Sequence, residues 1–322
     1  MALGLAGLAA LGAAAASQSQ PRPGVAMNWA YPVNQPVTSG APAAVDAAEI
    51  LHVEGSAIAF SARQVRNIFA APDWRPQEHP VMPDVVATGR RPDVMACGYC
   101  HLPTGNGRPE NAPLAGLPRD YIIAQMRDFQ GGVRNSAVGG RVPTDLMHRV
   151  AKAATEEEVA AAASYFSAVP FRSFVTVVET RTIPKVKVEA WTYARSGEPG
   201  TEALGERIVE MPDSFDQFER RDPHTHYQAF VPPGSIRRGA RLVRQWGGGA
   251  LACAACHGAA YQGTEDVPGL AGRSPSFIAR QLYDFQTGAR GGEHAAPMAQ
   301  VVTGMTGGEM IAVAAYLASL KP

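Results

Sequence analysis

Two short stretches of the chain combine thiols with an imidazole at a fixed spacing. They are Cys97-Gly98-Tyr99-Cys100-His101 and Cys253-Ala254-Ala255-Cys256-His257, and they contain all 4 cysteines of the sequence. Each has the pattern C-x-x-C-H, the attachment motif of c-type haem. Two thiols about one helical turn apart can each add across a vinyl group of haem, and the next residue then places an imidazole under the iron. The motifs predict two covalent c-type haems, with the cysteines (Cys97, Cys100, Cys253, Cys256) as anchors and His101 and His257 as axial ligands of iron.

Zinc binding, thiol redox chemistry and structural disulfides each explain less of the C-x-x-C-H pattern than haem attachment does. Two C-x-x-C pairs can form a Cys₄ zinc site, but such pairs usually lie within a couple of dozen residues, and these occupy separate halves of the chain. A thioredoxin-like redox pair needs a βαβ unit, which the sequence does not predict. Structural disulfides would leave both histidines without a role.

The sequence around the motifs is duplicated at an offset of 156 residues. Of the 21 residues between Leu114 and Arg134, 10 recur between Leu270 and Arg290. Repetition on this scale indicates two copies of one structural unit. Such a unit, of roughly 75–85 residues, is small for a stable core, and a haem would supply much of the missing apolar interior.

Each unit is predicted to consist of helices joined by loops rich in glycine and proline. Thr155 and Thr306 open capping boxes, and Ser274-Pro275 offers an N-cap followed by proline at the first helical position. The predicted helices are 91–101, which ends in the first attachment turn, 118–130, 155–168, 235–246, which leads toward the second attachment turn, a helix beginning at 274, and 306–320.

A methionine precedes the last helix of each unit and is the predicted sixth ligand of iron. Aligning Tyr165 with Tyr316 places Met147 opposite Met298, each 18 residues before its tyrosine. A thioether favours ferrous iron and raises the reduction potential relative to a second imidazole. In the first unit His148 follows Met147 and is an alternative ligand, so the choice between the two stays open.

The proximal imidazoles also need a carbonyl that orients the ring. Pro268, eleven residues after His257, is predicted to supply it in the second unit. In the first unit Pro113 comes twelve residues after His101, so the carbonyl there could be shifted by one residue.

With these motifs both units resemble class I c-type cytochromes, and the pair resembles the dihaem cytochrome c4 group. The second unit carries the characteristic segments Pro268-Gly269-Leu270-Ala271-Gly272 and Phe277 to Phe285, followed by Met298. The resemblance implies a mainly α fold of two tandem class I cytochrome c domains. It also implies that the domains pack as a pseudo-twofold pair with their haem propionate edges facing.

The remaining segments are additions to this plan. Ser61 to Gln64 is a capping-box pattern that predicts a short helix through Ala70, and Val175–Val178 and Lys185–Trp191 have strand-like patterns. We therefore expect a long N-terminal extension and an inter-domain segment of small β content. The expected division is 1–16 (signal peptide or remnant), 17–90 (extension), 91–170 (cytochrome c domain 1), 171–234 (inter-domain segment) and 235–322 (cytochrome c domain 2).

Composition and the N-terminus favour an exported protein. The 29 basic and 29 acidic residues give no net field that would attract nucleic acid or an anionic membrane, so we expect no nucleic-acid partner and an uncharged docking face. After Met1, residues 2–16 are all Ala, Leu or Gly and end in four alanines, which is typical of a signal peptide. An uncleaved anchor is the alternative, although the stretch is short for a bilayer. By the resemblance we expect a bacterial periplasmic protein, without a transmembrane span once the signal is removed.

The leading hypothesis for function is electron transfer rather than catalysis, with no catalytic residue assigned. Iron ligated by both His and Met has no open position for a substrate. The expected partners are redox proteins: a dehydrogenase, a quinol-oxidising complex or a terminal oxidase. The alternatives are a catalytic dihaem cytochrome with one open haem, peroxidase-like or thiosulfate-oxidising, and the electron-transfer subunit of a dehydrogenase complex.

Overall fold

The computed structural model describes residues 26–34, 46–246 and 252–322. The expected signal peptide, 1–16, lies outside the described residues. Among the residues that are described, no single helix is long and apolar enough to cross a membrane.

The first haem unit is preceded by an extension of short elements. The extension contains a 3₁₀ turn (Asn28–Ala30), β1 (Ile50–His52), β2 (Ala59–Ser61), α1 (Ala62–Val65), a second 3₁₀ turn (Pro76–Glu78) and α2 (Asp84–Ala87). The unit itself follows with α3 (Cys97–His101), α4 (Arg119–Gln130), α5 (Val142–Ala153) and α6 (Glu156–Ala168).

Local capping determines where several of these helices begin. The predicted capping box at Thr155 is present, with Glu158 N donating to the threonine hydroxyl and Thr155 N donating to the Glu158 carboxylate. The Ser61 box is present too, but α1 ends at Val65 instead of reaching Ala70. The side chain of Asn67 accepts a hydrogen bond from Phe69 N at 3.1 Å, and such a local bond competes with helix.

The core of the first unit begins earlier in the chain than the motif suggests. Val85 and Val86 of α2 are buried together with Val94, Met95 and Phe166 in one apolar cluster. Both valines precede residue 91, the expected start of the domain, so part of the extension contributes to the core of this unit. The division at 91 itself stays a prediction.

The second unit contains α8 (Ser235–Gln245), α9 (Cys253–His257), α10 (Pro275–Gln286), α11 (Ala296–Val302) and α12 (Gly307–Ser319). Ser274 caps α10 with proline at the first turn, and Thr306 caps α12 through a complete capping box, both as predicted. Helices α8 and α12 cross in close contact at Gly239, where a Cβ atom would lie 2.0 Å from the Ala312 carbonyl oxygen. Only glycine permits this approach of the two backbones.

The segment between the units forms small sheets. Its elements are β3 (Val175–Glu179), β4 (Thr182–Pro184), β5 (Val186–Glu189), β6 (Thr192–Arg195), β7 (Thr201–Ala203), β8 (Val209–Pro212), α7 (Phe215–Glu219) and β9 (Tyr227–Val231). One sheet has the order β3-β9-β8, with β3 parallel to β9 and β8 antiparallel, while β4 pairs with β7 and β5 with β6. The strand predicted to reach Trp191 ends at Glu189, because Ala190 and Trp191 take positive φ in the turn to β6.

The extension and the inter-domain segment are joined to each other beside the first unit. Trp74 is buried and donates its indole hydrogen to the Arg220 carbonyl at 2.8 Å. Arg75 and Asp222 form a buried ion pair at 3.3 Å. At the second unit, Tyr31 from the N-terminal part of the extension donates to Asp284 Oδ1 at 2.7 Å.

Candidate haem-binding sites

Each C-x-x-C-H motif forms a helix of 5 residues, α3 in the first unit and α9 in the second. The helix predicted from Arg91 begins only at Cys97, because Arg90 and Val94 pair in a β-bridge before it. None of the four cysteines is paired in a disulfide. Among the described residues, no group of three or more His, Cys, Asp or Glu side chains could hold a metal ion, so the zinc alternative has no support there. Each motif thus presents two thiols about one turn apart and a histidine at the end of the same helix, as attachment of haem requires.

The two proximal histidines are held in the same way. His101 Nδ1 donates to the Ala112 carbonyl and His257 Nδ1 to the Pro268 carbonyl, each at 2.8 Å. Both rings are buried, and burial lowers the pKa of each imidazole and so favours the neutral form. With the proton on Nδ1, the Nε2 lone pair of each ring is available to iron.

The acceptor in the first unit corrects one sequence prediction. Ala112 accepts the hydrogen bond, and Pro113 does not. The acceptor lies eleven residues after the histidine in both units, so the register follows the distance from the motif rather than the proline. The Pro113 carbonyl instead accepts from Arg273 Nη1 of the second unit at 3.0 Å.

The predicted distal methionines both lie on helices. Met147 is on α5 and Met298 on α11, and both side chains are half-buried. In the first unit, His148 Nδ1 lies 2.9 Å from the Phe129 carbonyl oxygen, and its ring packs edge-on against the Phe129 ring with centroids 5.5 Å apart. This bond leaves Nε2 of His148 available in the same way as for the proximal histidines, so His148 stays an alternative to Met147 at the first iron. Ligation by Met147 and Met298 stays a prediction.

The surroundings of the two attachment helices differ. In the first, Gly98 and Tyr99 are buried, and a Cβ atom on Gly98 would lie 2.9 Å from the Val86 carbonyl oxygen of α2. The Arg221 guanidinium lies 3.5 Å from the centroid of the Tyr99 ring and donates to the Tyr99 carbonyl at 2.9 Å. In the second motif, the corresponding surface is open.

The open surface of the second motif is formed by Ala255 and Cys256, which are both exposed. The matching cysteine of the first motif, Cys100, is partly buried, and burial raises the pKa of its thiol. Within the described residues, the extension and the inter-domain segment therefore cover the first haem motif and not the second.

The two units meet along a pair of equivalent arginines. Arg134 and Arg290 face each other in an antiparallel bridge, flanked by Asn135 N donating to the Ala289 carbonyl and Gly291 N to the Val133 carbonyl, each at 2.7 Å. The guanidinium of each arginine also donates to the glutamine of the opposite unit: Arg134 to Gln281 at 3.2 Å and Arg290 to Gln125 at 2.7 Å. This exchange relates the repeats by an approximate twofold axis, as the resemblance implies.

Buried positive charge accumulates at this contact. Five buried arginines lie at or beside it: Arg134, Arg141, Arg273, Arg280 and Arg290. Among the described residues, no carboxylate lies within 4.0 Å, the limit for an ion pair, of any of these five guanidinium groups. The rest of the sequence contains no Asp or Glu. Burial lowers the pKa of Arg134 and of Arg141 to about 9 in each case.

Buried charges require partners. Haem carries two propionate carboxylates, so the residues at the contact fit a pair of haems and would supply their counter-charge. The sequence prediction missed this role. Arg134 and Arg290 were visible as a match between the repeats, but nothing local indicated that they are buried.

Comparison with known proteins agrees with this description. Residues 236–321 match the family model of cytochrome c. The chain is similar to the thiosulfate dehydrogenase electron acceptor of Thiomonas intermedia (strain K12), with 28% identity over 233 residues, 71% of this chain and 80% of the relative. It is also similar to cytochrome c4 of Azotobacter vinelandii, with 25% identity over 198 residues, 60% of this chain and 69% of the relative.

A solved structure, the reduced recombinant cytochrome c4 from Pseudomonas stutzeri, matches at 20% identity and a TM-score of 0.44, covering 70% of this chain and 93% of that one. The sequence matches confirm the predicted resemblance, the predicted class of fold and the predicted c-type haems. The roles of individual residues stay predictions.

Proposed function

We propose that this dihaem c-type cytochrome carries electrons between redox proteins in the bacterial periplasm. One observation carries the proposal: both proximal histidines donate Nδ1–H to a carbonyl eleven residues later at 2.8 Å, leaving Nε2 for iron. Two units built alike around this bond would hold two haems in one chain. Haem, when bound, supplies reversible one-electron exchange between ferric and ferrous iron.

The residues of the chain would keep that exchange free of other chemistry. His101 and His257 would each hold one iron through Nε2, and Met147 and Met298 would each add a soft thioether. Iron held by both residues would have no free position for a substrate.

A dehydrogenase is the donor that we propose. One relative is named as the electron acceptor of a thiosulfate dehydrogenase, which supports a donor of that class. A quinol-oxidising complex or a terminal oxidase would fit the same redox chemistry. The periplasmic location is supported by the signal-like N-terminus and by the place where c-type haem is attached in the family that the chain resembles.

The test is a potentiometric titration of holoprotein that has been matured with c-type haem, followed by exposure of the ferrous protein to carbon monoxide. We expect two reversible one-electron steps per chain, no carbon monoxide adduct, and no turnover of hydrogen peroxide or thiosulfate. An adduct at one haem together with turnover would contradict the proposal and assign the chain to the catalytic alternative.

A further inference from the structure

Helix α8 carries a row of exposed arginines close to the second haem motif. Arg237, Arg241 and Arg244 have the spacing i, i+4, i+7 and lie on the side of α8 opposite its buried residues, the side that does not face α12. The row extends about 10 Å along the helix axis. It is a concentrated cationic strip on a chain whose formal net charge is zero.

Within the described residues, none of these three guanidinium groups lies within 4.0 Å of a carboxylate. Helix α8 contains no Asp or Glu, and its one ion pair within the described residues joins Arg238 to Glu309 at 3.9 Å. The ranges outside the described residues contain no Asp or Glu either. The row is thus free to act on charges outside the protein.

The row lies beside the open haem motif rather than at an arbitrary place. Helix α8 contacts the attachment helix α9, and Leu242 of α8 and Ala254 of α9 pack against the same apolar cluster. The exposed residues of α9, Ala255 and Cys256, complete an accessible surface next to the cations.

We propose that the arginine row of α8 and the exposed surface of α9 form the docking site for a redox protein that presents carboxylates around its own redox centre. The second haem then exchanges electrons with the partner, while the first, covered by α2 and Arg221, receives them through the second unit. Arginine guanidinium groups match carboxylates in charge and geometry, and facing charges of opposite sign accelerate encounter. The face differs from the uncharged one expected from composition, because total charge does not show how charges are distributed.

The inference depends on the proposed electron-transfer function, and its test separates the two. The probe is an acidic flavodoxin in the hydroquinone state: one electron passes to ferric haem iron, which becomes ferrous, and the flavodoxin becomes a semiquinone. Stopped-flow rates are measured at low and high ionic strength for the holoprotein and for the triple variant R237Q/R241Q/R244Q. The matched control is R63Q/R127Q/R195Q, which removes three exposed arginines of the extension, the first unit and the β segment.

At low ionic strength the α8 variant is expected to react roughly tenfold more slowly than the wild type and to lose most of its dependence on salt, because steering by local charge changes association rates on that scale. The control variant should stay within about twofold of the wild type. Equal losses in both variants would show an effect of net charge alone and overturn the proposal. So would unchanged rates in the α8 variant.

Binding to anionic phosphatidylglycerol vesicles tests the alternative that the arginine row of α8 binds a membrane surface. Vesicle binding that depends on the α8 arginines, together with unchanged flavodoxin rates, would assign the row to a membrane surface and overturn the protein docking site. Failure of a neutral quinol mediator to reduce the wild-type holoprotein would count against the proposed electron-transfer function instead.

Discussion

The two attachment helices carry the same motif in unlike surroundings. In both, the residue at the third position has the same backbone bond, Tyr99 N to Ala96 O and Ala255 N to Ala252 O, each 3.0 Å long. Yet Tyr99 is buried beneath the Arg221 guanidinium, whereas Ala255 is exposed. The motif therefore determines the chemistry of haem attachment. Segments far away in the chain determine how far the attachment helix is exposed to other molecules.

The helices that pack around the two motifs also differ. The second unit has the long helix α8, which crosses α12 at Gly239 without space for a side chain. In the corresponding place the first unit has only short helices, α1 and α2, and its core extends back to Val85. One unit is thus braced by a helix crossing and the other by the extension and the β segment.

The largest effect is expected when the two haem-attaching cysteines are removed from one unit at a time. Cys97→Ala/Cys100→Ala and Cys253→Ala/Cys256→Ala should each leave one covalent haem per chain, because each motif holds its own haem. A pyridine haemochrome assay with intact mass spectrometry counts them. Two haems in either double variant would refute the assignment of one haem to each motif.

Removing the distal ligands tests whether both irons are closed. Met298→Ala and Met147→Ala should each allow one carbon monoxide to bind per ferrous chain and should lower the potential of that haem by on the order of 0.1 V, because the thioether favours ferrous iron. His148→Ala is the neighbouring control and should stay inert to carbon monoxide. If His148→Ala binds carbon monoxide and Met147→Ala does not, His148 is the first unit's ligand.

The helix crossing gives a prediction for the second unit alone. Gly239→Ala should lower the free energy of unfolding by roughly 2 kcal/mol or more, since its Cβ would lie 2.0 Å from the Ala312 carbonyl oxygen. Gly308→Ala, in the first turn of α12, has its nearest contact at 3.4 Å and should be neutral or stabilising by up to about 1 kcal/mol. Denaturant titration measures both, and equal effects would contradict the close crossing.

Amide hydrogen exchange measures how differently the two attachment helices are shielded from solvent, and it detects the smallest effect. Because the Tyr99 and Ala255 amides make equal hydrogen bonds, slower exchange at Tyr99, by roughly tenfold, would report the covering segments alone. Arg221→Ala should speed exchange at Tyr99 a few-fold and leave Ala255 unchanged. An exposed arginine of β6, Arg195→Ala, serves as the control, and similar exchange at both amides in the wild type would remove the asymmetry.

Features that depend on neighbours in sequence could be predicted, and features that depend on distant segments could not. The capping boxes at Thr155 and Thr306 were predicted at the correct residues, because a cap involves groups only three residues apart. The histidine acceptor was predicted for the second unit and missed by one residue in the first, where a proline was taken as the marker. The spacing of eleven residues was the better guide.

The burial of Arg134 and Arg290 and the cover over Tyr99 arise from long-range packing. The Arg221–Tyr99 contact joins residues 122 positions apart, and the Arg290–Gln125 bond joins residues 165 positions apart. No local pattern carries such information. The repeat pointed to the arginine pair without indicating its role, and it could not show that only one motif would be covered.

Whether both haems are closed to outside ligands is best measured on the oxidised holoprotein. Haems are counted by pyridine haemochrome, and the near-infrared charge-transfer bands between the methionine ligand and iron are then recorded. We expect two haems per chain and a methionine signature at both. Two haems with a methionine signature at only one would reveal an iron with a different or displaceable ligand, and the catalytic alternative would replace the carrier.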